Sequence, residues 1–275
     1  MAYADTPDLR LYYDIRGRGP RLLFIWGTGG DLRQVPNAFT TPLADDFTVL
    51  AYDQRGLGRS DKPDRPYGMA DYGDDAAALL DAVGWDRCAV IGVSFGGMVA
   101  QEFALRHPDR VTRLAICCAA AGGAGGASYP LHQLADLAPE DQAREMVLLG
   151  DTRRDAAWRD ANKPLCDSLI ADRVAKLRFT AAQPGGERGA RRQLEARRGH
   201  DTFERIGQLA MPARVFGGRY DGIAAPEAVA AMAARLPGGA DGAHLRMFEG
   251  GHLFFQDDPA AFPAIAQFLS GADDA

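Results

Sequence analysis

Short apolar runs alternate with amphipathic stretches along most of the chain. The apolar runs are rich in β-branched and aromatic residues, as buried strands are: LRLYYDI, RLLFIWG, FTVLAYD, CAVIGVS, VTRLAICCA, ARVFGG and HLRMFEG. The amphipathic stretches show the three- and four-residue apolar spacing of helices: MADYGDDAAALLDAVG, GGMVAQEFALRHP, PEAVAAMAARLPG and DPAAFPAIAQFLSG. This order predicts an α/β fold with a mostly parallel central sheet and helices on both faces. Too few residues separate the first two runs for a helical crossover, so we expect them to form an antiparallel edge.

The alternation stops between about residues 120 and 205. This part opens with the glycine-rich stretch AAAGGAGGASYP and continues with amphipathic stretches, without a convincing strand. We therefore predict a core formed by residues 1–120 and 206–275. Residues 121–205 are predicted to be a helical lid, or cap, inserted between two strands of that core.

Length and charge narrow the classes of partner. A chain of 275 residues suits one large α/β domain with an insertion. Its net charge is −6 at pH 7. We therefore do not expect the basic surface that binds nucleic acid or an anionic membrane. Neither a signal peptide nor an apolar run of membrane-spanning length is present, so we expect a cytoplasmic protein with a small-molecule partner. The sequence does not specify an oligomeric state.

The cysteines show no metal-binding spacing, and two of them lie in the apolar run LAICCAA. We expect all of them to be small buried hydrophobic residues in a reducing compartment. They are Cys88, Cys117, Cys118 and Cys166.

One serine is surrounded by glycines where a predicted strand turns into a predicted helix. In GVSFGG, Ser94 is flanked two positions away by Gly92 and Gly96, and Gly97 follows. A sharp turn of this kind holds its central residue in a strained conformation and leaves no room for side chains at the flanking positions. It presents the hydroxyl at the positive end of the helix. An ordinary turn has the same composition, but the strand before it and the helix after it favour Ser94 as a nucleophile.

A serine nucleophile needs a base and an acid that orients the base. His252 lies in the glycine-flanked loop EGGHLFFQDDP after the last predicted strand, and Asp221 lies just beyond the strand ARVFGG. The order serine, acid, histidine along the chain fits a strand–turn–helix nucleophile. We therefore predict that Asp221 accepts a hydrogen bond from Nδ1 of His252, whose Nε2 takes the serine proton. The alternatives without a catalytic role are a solvated loop histidine for His252 and a turn aspartate before glycine for Asp221.

Two backbone amides are expected to form an oxyanion hole. One is the amide of Phe95, directly after the nucleophile. The other is predicted to be that of Thr28 in the glycine-rich stretch FIWGTGG. The alternative is a glycine-rich turn without an electrostatic role.

Taken in order, the motifs WGTGG, DQRGLGRSD, GVSFGGMVAQ, GGRYDG and GGH resemble the α/β-hydrolase superfamily with a helical lid. Within it, the chain is most similar to 3-oxoadipate enol-lactonases and small-molecule esterases. The resemblance covers residues 9–120 and 200–271. It implies the α/β-hydrolase fold and these roles: Ser94 as nucleophile, His252 as base, Asp221 as acid, and the amides of Thr28 and Phe95 as oxyanion donors.

Three features refine the resemblance. Trp26 and Gly27 stand where the family often has His-Gly, and an indole cannot accept a hydrogen bond as a neutral imidazole can. The loop must therefore be anchored differently, and Trp26 would enlarge an apolar wall. Arg55 in DQRGLGRSD is expected to tie loops together. A serine instead of an aspartate at position 94 disfavours the family's dehalogenases and epoxide hydrolases.

The expected reaction is hydrolysis of a small-molecule carboxylic ester or lactone through an acyl-enzyme on Ser94, with no metal or organic cofactor. Three alternatives stay open: a C–C bond hydrolase of vinylogous diketones, a cofactor-free perhydrolase or haloperoxidase, and a non-enzymatic small-ligand receptor on the same fold.

Substrate choice is expected to depend on the cap, which contains the arginine-rich stretch GERGARRQLEARRGHD. Its arginines either attract a carboxylate-bearing substrate or form a solvated helix face. They are Arg188, Arg191, Arg192, Arg197 and Arg198.

Overall fold

A computed structural model describes residues 2–239, 242 and 244–272. The predicted strands form one sheet together with an additional N-terminal strand. Its members are β1 (Ala2–Asp5), β2 (Arg10–Arg16), β3 (Arg21–Ile25), β4 (Thr48–Tyr52), β5 (Cys88–Val93), β6 (Val111–Cys117), β7 (Ala213–Gly218) and β8 (Leu245–Phe248). The eight strands are arranged in the order β1-β2-β4-β3-β5-β6-β7-β8. All neighbouring pairs from β4 to β8 are parallel.

Helices connect the strands and cover both faces of the sheet. They are α1 (Leu43–Asp46), α2 (Met69–Ala82), α3 (Phe95–Arg106), α4 (Pro139–Gly150), α5 (Ala156–Ala161), α6 (Lys163–Ala181), α7 (Gly186–Arg198), α8 (Pro226–Arg235) and α9 (Ala261–Ser270). Alternate residues of strands β3 to β8 enter different cores, as the period of two requires. Leu23 and Val90 pack with α2, α3 and α8, whereas Leu22 and Ile91 pack with α1 and α9. The predicted α/β fold is confirmed.

The order of the first strands differs from the expectation. β2 pairs antiparallel with β1 and β4, while β3 lies between β4 and β5 and is parallel to both. The prediction that the first two apolar runs pair with each other was therefore wrong. Residues 22–25 of β3 are fully buried, which suits the centre of a parallel sheet, whereas the end of β2 is exposed. β1 was not predicted because Ala4 is its only buried residue.

Helices α4 to α7 lie between β6 and β7 in the segment that we call the cap (residues 121–205). Its only contact of β type is a single bridge between Gly122 and Asp201, and none of the named strands lies within it. Helix α6 is mainly exposed, with Cys166 and Val174 as its buried residues. All four cysteines are buried and free, as expected. None of the described helices is long and apolar enough to cross a membrane.

Candidate active site

Ser94 occupies the turn between β5 and α3 in a conformation that few non-glycine residues adopt, with φ 55° and ψ −118°. Its neighbours must be glycine because other backbone atoms come very close. A Cβ atom at Gly92 would lie 2.3 Å from the Gly96 carbonyl oxygen, and one at Gly96 would lie 2.0 Å from the Ile25 carbonyl oxygen. The tight contacts force the chain to turn at Ser94 and to present its hydroxyl beyond the end of the sheet.

Ser94, His252 and Asp221 form a continuous hydrogen-bonded chain. The distance from Ser94 Oγ to His252 Nε2 is 2.8 Å, and that from His252 Nδ1 to Asp221 Oδ2 is also 2.8 Å. Since a carboxylate only accepts hydrogen bonds, Nδ1 carries a proton and Nε2 of the neutral ring accepts from the serine hydroxyl. All three residues are buried, with exposed fractions of 7%, 9% and 2% respectively.

The second carboxylate oxygen of Asp221 is held by the backbone. Asp221 Oδ1 accepts hydrogen bonds from the amides of Ile223 at 2.7 Å and Ala224 at 2.9 Å. These bonds fix the carboxylate in the loop after β7. The carboxylate therefore presents Oδ2 to His252 in a fixed position.

The loop after β3 runs directly beside Ser94. A Cβ atom at Gly27 would lie 3.3 Å from Ser94 Cβ and 3.9 Å from its Oγ. Within the part of the chain that the structure describes, the amides of Thr28 and Phe95 donate to no protein acceptor. Phe95 is also the first residue of α3, where the helix dipole favours negative charge. Both predicted oxyanion donors thus remain available to a ligand.

The C-terminal end of cap helix α4 holds the loops that carry the acid and the histidine. The amide of His252 donates to the Gly150 carbonyl at 2.7 Å, and the amide of Gly222 donates to the Leu149 carbonyl at 3.0 Å. The sequence does not reveal these contacts because any residue supplies a backbone carbonyl. Helix α4 therefore helps to position two of the three residues of the hydrogen-bonded chain.

Cap helix α7 contacts the loop after β3 through Gln193, a residue that the sequence analysis missed. Gln193 is fully buried, and its Oε1 accepts a hydrogen bond from the Gly29 amide at 2.9 Å. One turn earlier, Gly189 packs against Gly56 so closely that a Cβ atom would lie 1.8 Å from the Gly56 carbonyl oxygen. The glycine brings the helix near enough for Gln193 to hold the residue after Thr28. A small residue followed four positions later by a glutamine was the only sequence signal.

The same face of α7 also contacts, through Tyr129, the loop after β7 that carries Asp221. Arg197 lies four residues after Gln193, and its Nη1 donates to the Tyr129 carbonyl at 2.6 Å. The Tyr129 amide donates in turn to the Ile223 carbonyl at 2.7 Å. Burial lowers the pKa of Arg197 to about 10, and the negative charge of Asp221 acts in the opposite direction.

The stretch DQRGLGRSD makes a hydrogen bond to the segment that follows β3. Arg55 is buried and donates to both carboxylate oxygens of Asp75 in α2, at 2.6 and 2.7 Å, so it ties its loop to a helix and not, as predicted, to another loop. Asp53 accepts from the amides of Leu32 at 2.7 Å and Arg59 at 2.9 Å. Burial raises the pKa of Asp53 to about 6, against the effect of these two hydrogen bonds.

A cavity of about 490 Å³ lies between the core and the cap and reaches Ser94 and His252. This size is ordinary for a small-molecule site. Its core side includes Trp26, Thr28 and Ile223, and its cap side includes residues of α4 and α6. No group of three or more His, Cys, Asp or Glu side chains within residues 2–239, 242 and 244–272 is arranged to hold a metal ion.

The family model described as alpha/beta hydrolase fold matches residues 20–259. The chain belongs to the alpha/beta hydrolase family. The family membership and the fold implied by the sequence resemblance are thus confirmed, and the solved structures place the chain near the enol-lactonase branch.

Three members of the alpha/beta hydrolase family illustrate its range. The enol-lactonase from Burkholderia xenovorans LB400 superimposes with a TM-score of 0.76 at 25% identity, covering 98% of this chain and 100% of that one. A poly(3-hydroxyalkanoate) depolymerase from Ectopseudomonas oleovorans is 29% identical over 90% of this chain and 83% of its own length. A 2-hydroxymuconate semialdehyde hydrolase from Pseudomonas sp. (strain CF600) is 34% identical over 62% of this chain and 56% of its own.

Trp26 shows how this alpha/beta hydrolase anchors the loop after β3 without a histidine. The Trp26 carbonyl accepts a hydrogen bond from Gln54 Nε2 at 2.8 Å. Its indole packs against the rings of Phe24 and Phe255 and lines the cavity. The anchor is therefore the backbone, and the side chain is free to form an apolar wall.

The arginine-rich stretch of α7 does not line the large cavity. Arg197 is buried against Tyr129, and Arg198 lines a separate small cavity. The other arginines are paired: Arg188 with Asp64, Arg191 with Asp136, and Arg192 with Glu195. The solvated helix face was thus the better interpretation for these three.

Proposed function

We propose that this alpha/beta hydrolase cleaves a carboxylic ester or lactone of a small molecule through an acyl-enzyme on Ser94. The observation that carries the proposal is the hydrogen-bonded chain from Ser94 Oγ through His252 to Asp221, with both distances at 2.8 Å. It stands at the edge of a cavity large enough for a small substrate.

In the first half of the reaction, Ser94 Oγ attacks the substrate carbonyl carbon while His252 Nε2 takes the hydroxyl proton. The negative charge that develops on the carbonyl oxygen is stabilised by the amides of Thr28 and Phe95. Asp221 stabilises the imidazolium and keeps its orientation. When the tetrahedral intermediate collapses, the C–O bond breaks and His252 returns the proton to the leaving alkoxide. A lactone opens in the same step, so its hydroxyl stays attached to the acyl group.

In the second half, a water molecule attacks the acyl-enzyme. His252 Nε2 accepts a proton from this water, and the same two amides stabilise the second oxyanion. Collapse breaks the bond to Ser94 Oγ, which recovers its proton from His252. The products are a carboxylic acid and the free enzyme.

The relatives support ester or lactone cleavage as the first choice. Both the enol-lactonase and the depolymerase match nearly the whole chain. A second candidate is hydrolysis of a C–C bond in a vinylogous diketone, which the partial match to the 2-hydroxymuconate semialdehyde hydrolase favours. It would use the same serine and histidine.

The test is steady-state turnover of purified enzyme on p-nitrophenyl esters of increasing acyl length, several lactones and one vinylogous diketone. We expect turnover of an ester or lactone class and a loss of at least about 1000-fold in kcat with Ser94→Ala. Residual activity within tenfold of the wild type would refute Ser94 as nucleophile. Turnover of the diketone alone would favour the second candidate. Ligand-induced stabilisation without multiple turnovers would instead indicate a receptor.

A further inference from the structure

Basic residues lie on the cap side of the cavity that contains Ser94 and His252. Arg173 and Lys176 are one turn apart on α6, and Arg154 lies between α4 and α5. All three line the cavity. None of them belongs to the arginine-rich stretch of α7.

Among the described residues, these basic residues have no carboxylate partner. Within the described residues, neither Arg173 nor Lys176 makes a hydrogen bond or an ion pair, and Arg154 donates only to the Val147 carbonyl at 3.4 Å. Several cap cations outside the cavity, by contrast, contact carboxylates: Arg153 with Asp151, Lys163 with Asp167, Arg178 with Glu140, and Arg191 with Asp136.

The three positive charges repel one another. Burial and the neighbouring Arg154 lower the pKa of Arg173. Burial and the neighbouring Arg173 likewise lower the pKa of Lys176, which Asp172 partly offsets. Like charges at this spacing on a helix are unfavourable, and the partly buried position of Arg173 makes the repulsion stronger. An anion in the cavity would relieve this repulsion.

The acidic residues of the cavity do not neutralise the cluster. Asp31 is paired with Arg33 at 2.6 Å. Asp257 accepts from the Gly251 amide, on the loop that carries the histidine. Asp172 precedes Arg173 on α6 and is exposed, with no ion pair among the described residues. One carboxylate therefore lies beside three cations.

We infer that Arg173, assisted by Lys176 and Arg154, binds a carboxylate of the substrate at a distance from the carbonyl that Ser94 attacks. A planar guanidinium matches a carboxylate through two parallel hydrogen bonds. The inference rests on the proposed function and narrows it: the preferred substrate is an ester or lactone that carries a free carboxylate group.

The test compares two substrates that differ only in charge. The anionic one is the mono-p-nitrophenyl ester of a dicarboxylic acid, and the neutral one is the same compound with its distal carboxylate capped as an amide. The quantity measured is the ratio of their kcat/KM values. We expect the wild type to prefer the anionic ester by about 10- to 100-fold, the range of a hydrogen-bonded charge pair.

Substitutions of Arg173 test whether this residue causes the preference for the anionic ester. Arg173→Gln should reduce the preference for the anionic ester to less than about threefold, mainly through KM, whereas Arg173→Lys should retain part of it. The matched control is Arg178→Gln, because Arg178 lies on the same helix but pairs with Glu140 outside the cavity. The control should keep the wild-type preference. Equal kcat/KM values for the two esters in the wild type, or an equal loss in Arg173→Gln and Arg178→Gln, would overturn the inference.

A binding measurement separates the inference from the proposed function. Calorimetry with the Ser94→Ala variant measures the affinity for both esters without turnover. If the wild type cleaves neither ester but Ser94→Ala binds the anionic one more tightly, and Arg173→Gln in that background abolishes the difference, the carboxylate site stands and the proposed function fails. If both esters are cleaved and bound equally, the function stands and the carboxylate site fails.

Discussion

Ser94 depends on neighbours that have no side chain. Its backbone keeps a positive φ of 55° because the glycines on either side admit the carbonyls of adjoining segments. The motif GVSFGG shows this directly in the sequence, since no other residue fits where a Cβ would lie 2.0 Å from a carbonyl oxygen. The turn was therefore predictable from residue types alone.

Substitution of Gly96 tests this account of the turn. Gly96→Ala should destabilise the protein by about 3 kcal/mol or more, because its Cβ would overlap the Ile25 carbonyl and the backbone must shift. Urea unfolding followed by circular dichroism measures the change.

Gly199→Ala is the matched control, because the nearest atom to its Cβ would be 3.6 Å away and φ is −87°. We expect a change of less than about 1 kcal/mol there. Equal effects of the two substitutions would contradict the argument from close approach.

At the scale of elements, the sequence did not reveal that two cap helices hold the loops around Ser94. Helix α4 acts through the carbonyls of Leu149 and Gly150, which have no signature in sequence. Helix α7 acts through Gln193 and Arg197. They lie in an arginine-rich stretch, for which the sequence predicted a carboxylate-binding or solvated face and not these contacts. A displacement of either helix would move a loop next to Ser94.

Replacement of Gln193 should lower kcat through the loop after β3. Gln193→Met keeps the volume of the side chain but removes the acceptor of the Gly29 amide, so the turn that carries the Thr28 amide should be held less firmly. We expect kcat to fall about tenfold with little change in KM, since the loss affects the oxyanion more than substrate binding.

Stability should change little in this variant. The Nε2 atom of Gln193 makes no hydrogen bond among the described residues, and removing this buried donor offsets the lost bond. Gln142→Met on α4, whose side chain makes no hydrogen bond to the described residues, serves as the control. A lowered melting temperature with an unchanged kcat would show that Gln193 is structural only.

At the scale of the whole molecule, the sequence specified the layers but not the order of the first strands or the cavity wall. The apolar runs indicated where strands form, yet proximity along the chain suggested the wrong partner for β3. Arg173 and Lys176 gave no signal because DRVAKLRF reads as an ordinary solvated helix. Their place in the cavity depends on how α6 packs over the core.

Stability of the whole molecule should depend on pH through His200, which is buried against the Ala120 carbonyl. Burial lowers the pKa of His200 from 6.5 to about 4, so the unfolded chain binds a proton before the native state does. The stability contribution of neutral His200 is complete above pH 6.5 and is lost as pH falls towards 4.

His200→Gln isolates this contribution. The difference in unfolding free energy between wild type and variant should shrink by about 3 kcal/mol between pH 7 and pH 4. Asp53 acts in the opposite sense, because its pKa is raised to about 6 and stability is lost as pH rises through that value. Both proteins share Asp53, so the difference cancels its effect. Parallel pH curves would contradict the account of His200.

Mass spectrometry of enzyme quenched during turnover of a p-nitrophenyl ester detects a covalent intermediate on Ser94 directly. We expect a mass increase equal to one acyl group, located on the peptide that contains Ser94 and absent from Ser94→Ala. The acyl group should disappear as substrate is exhausted. Turnover without this adduct, or an adduct on another residue, would contradict acyl transfer through Ser94.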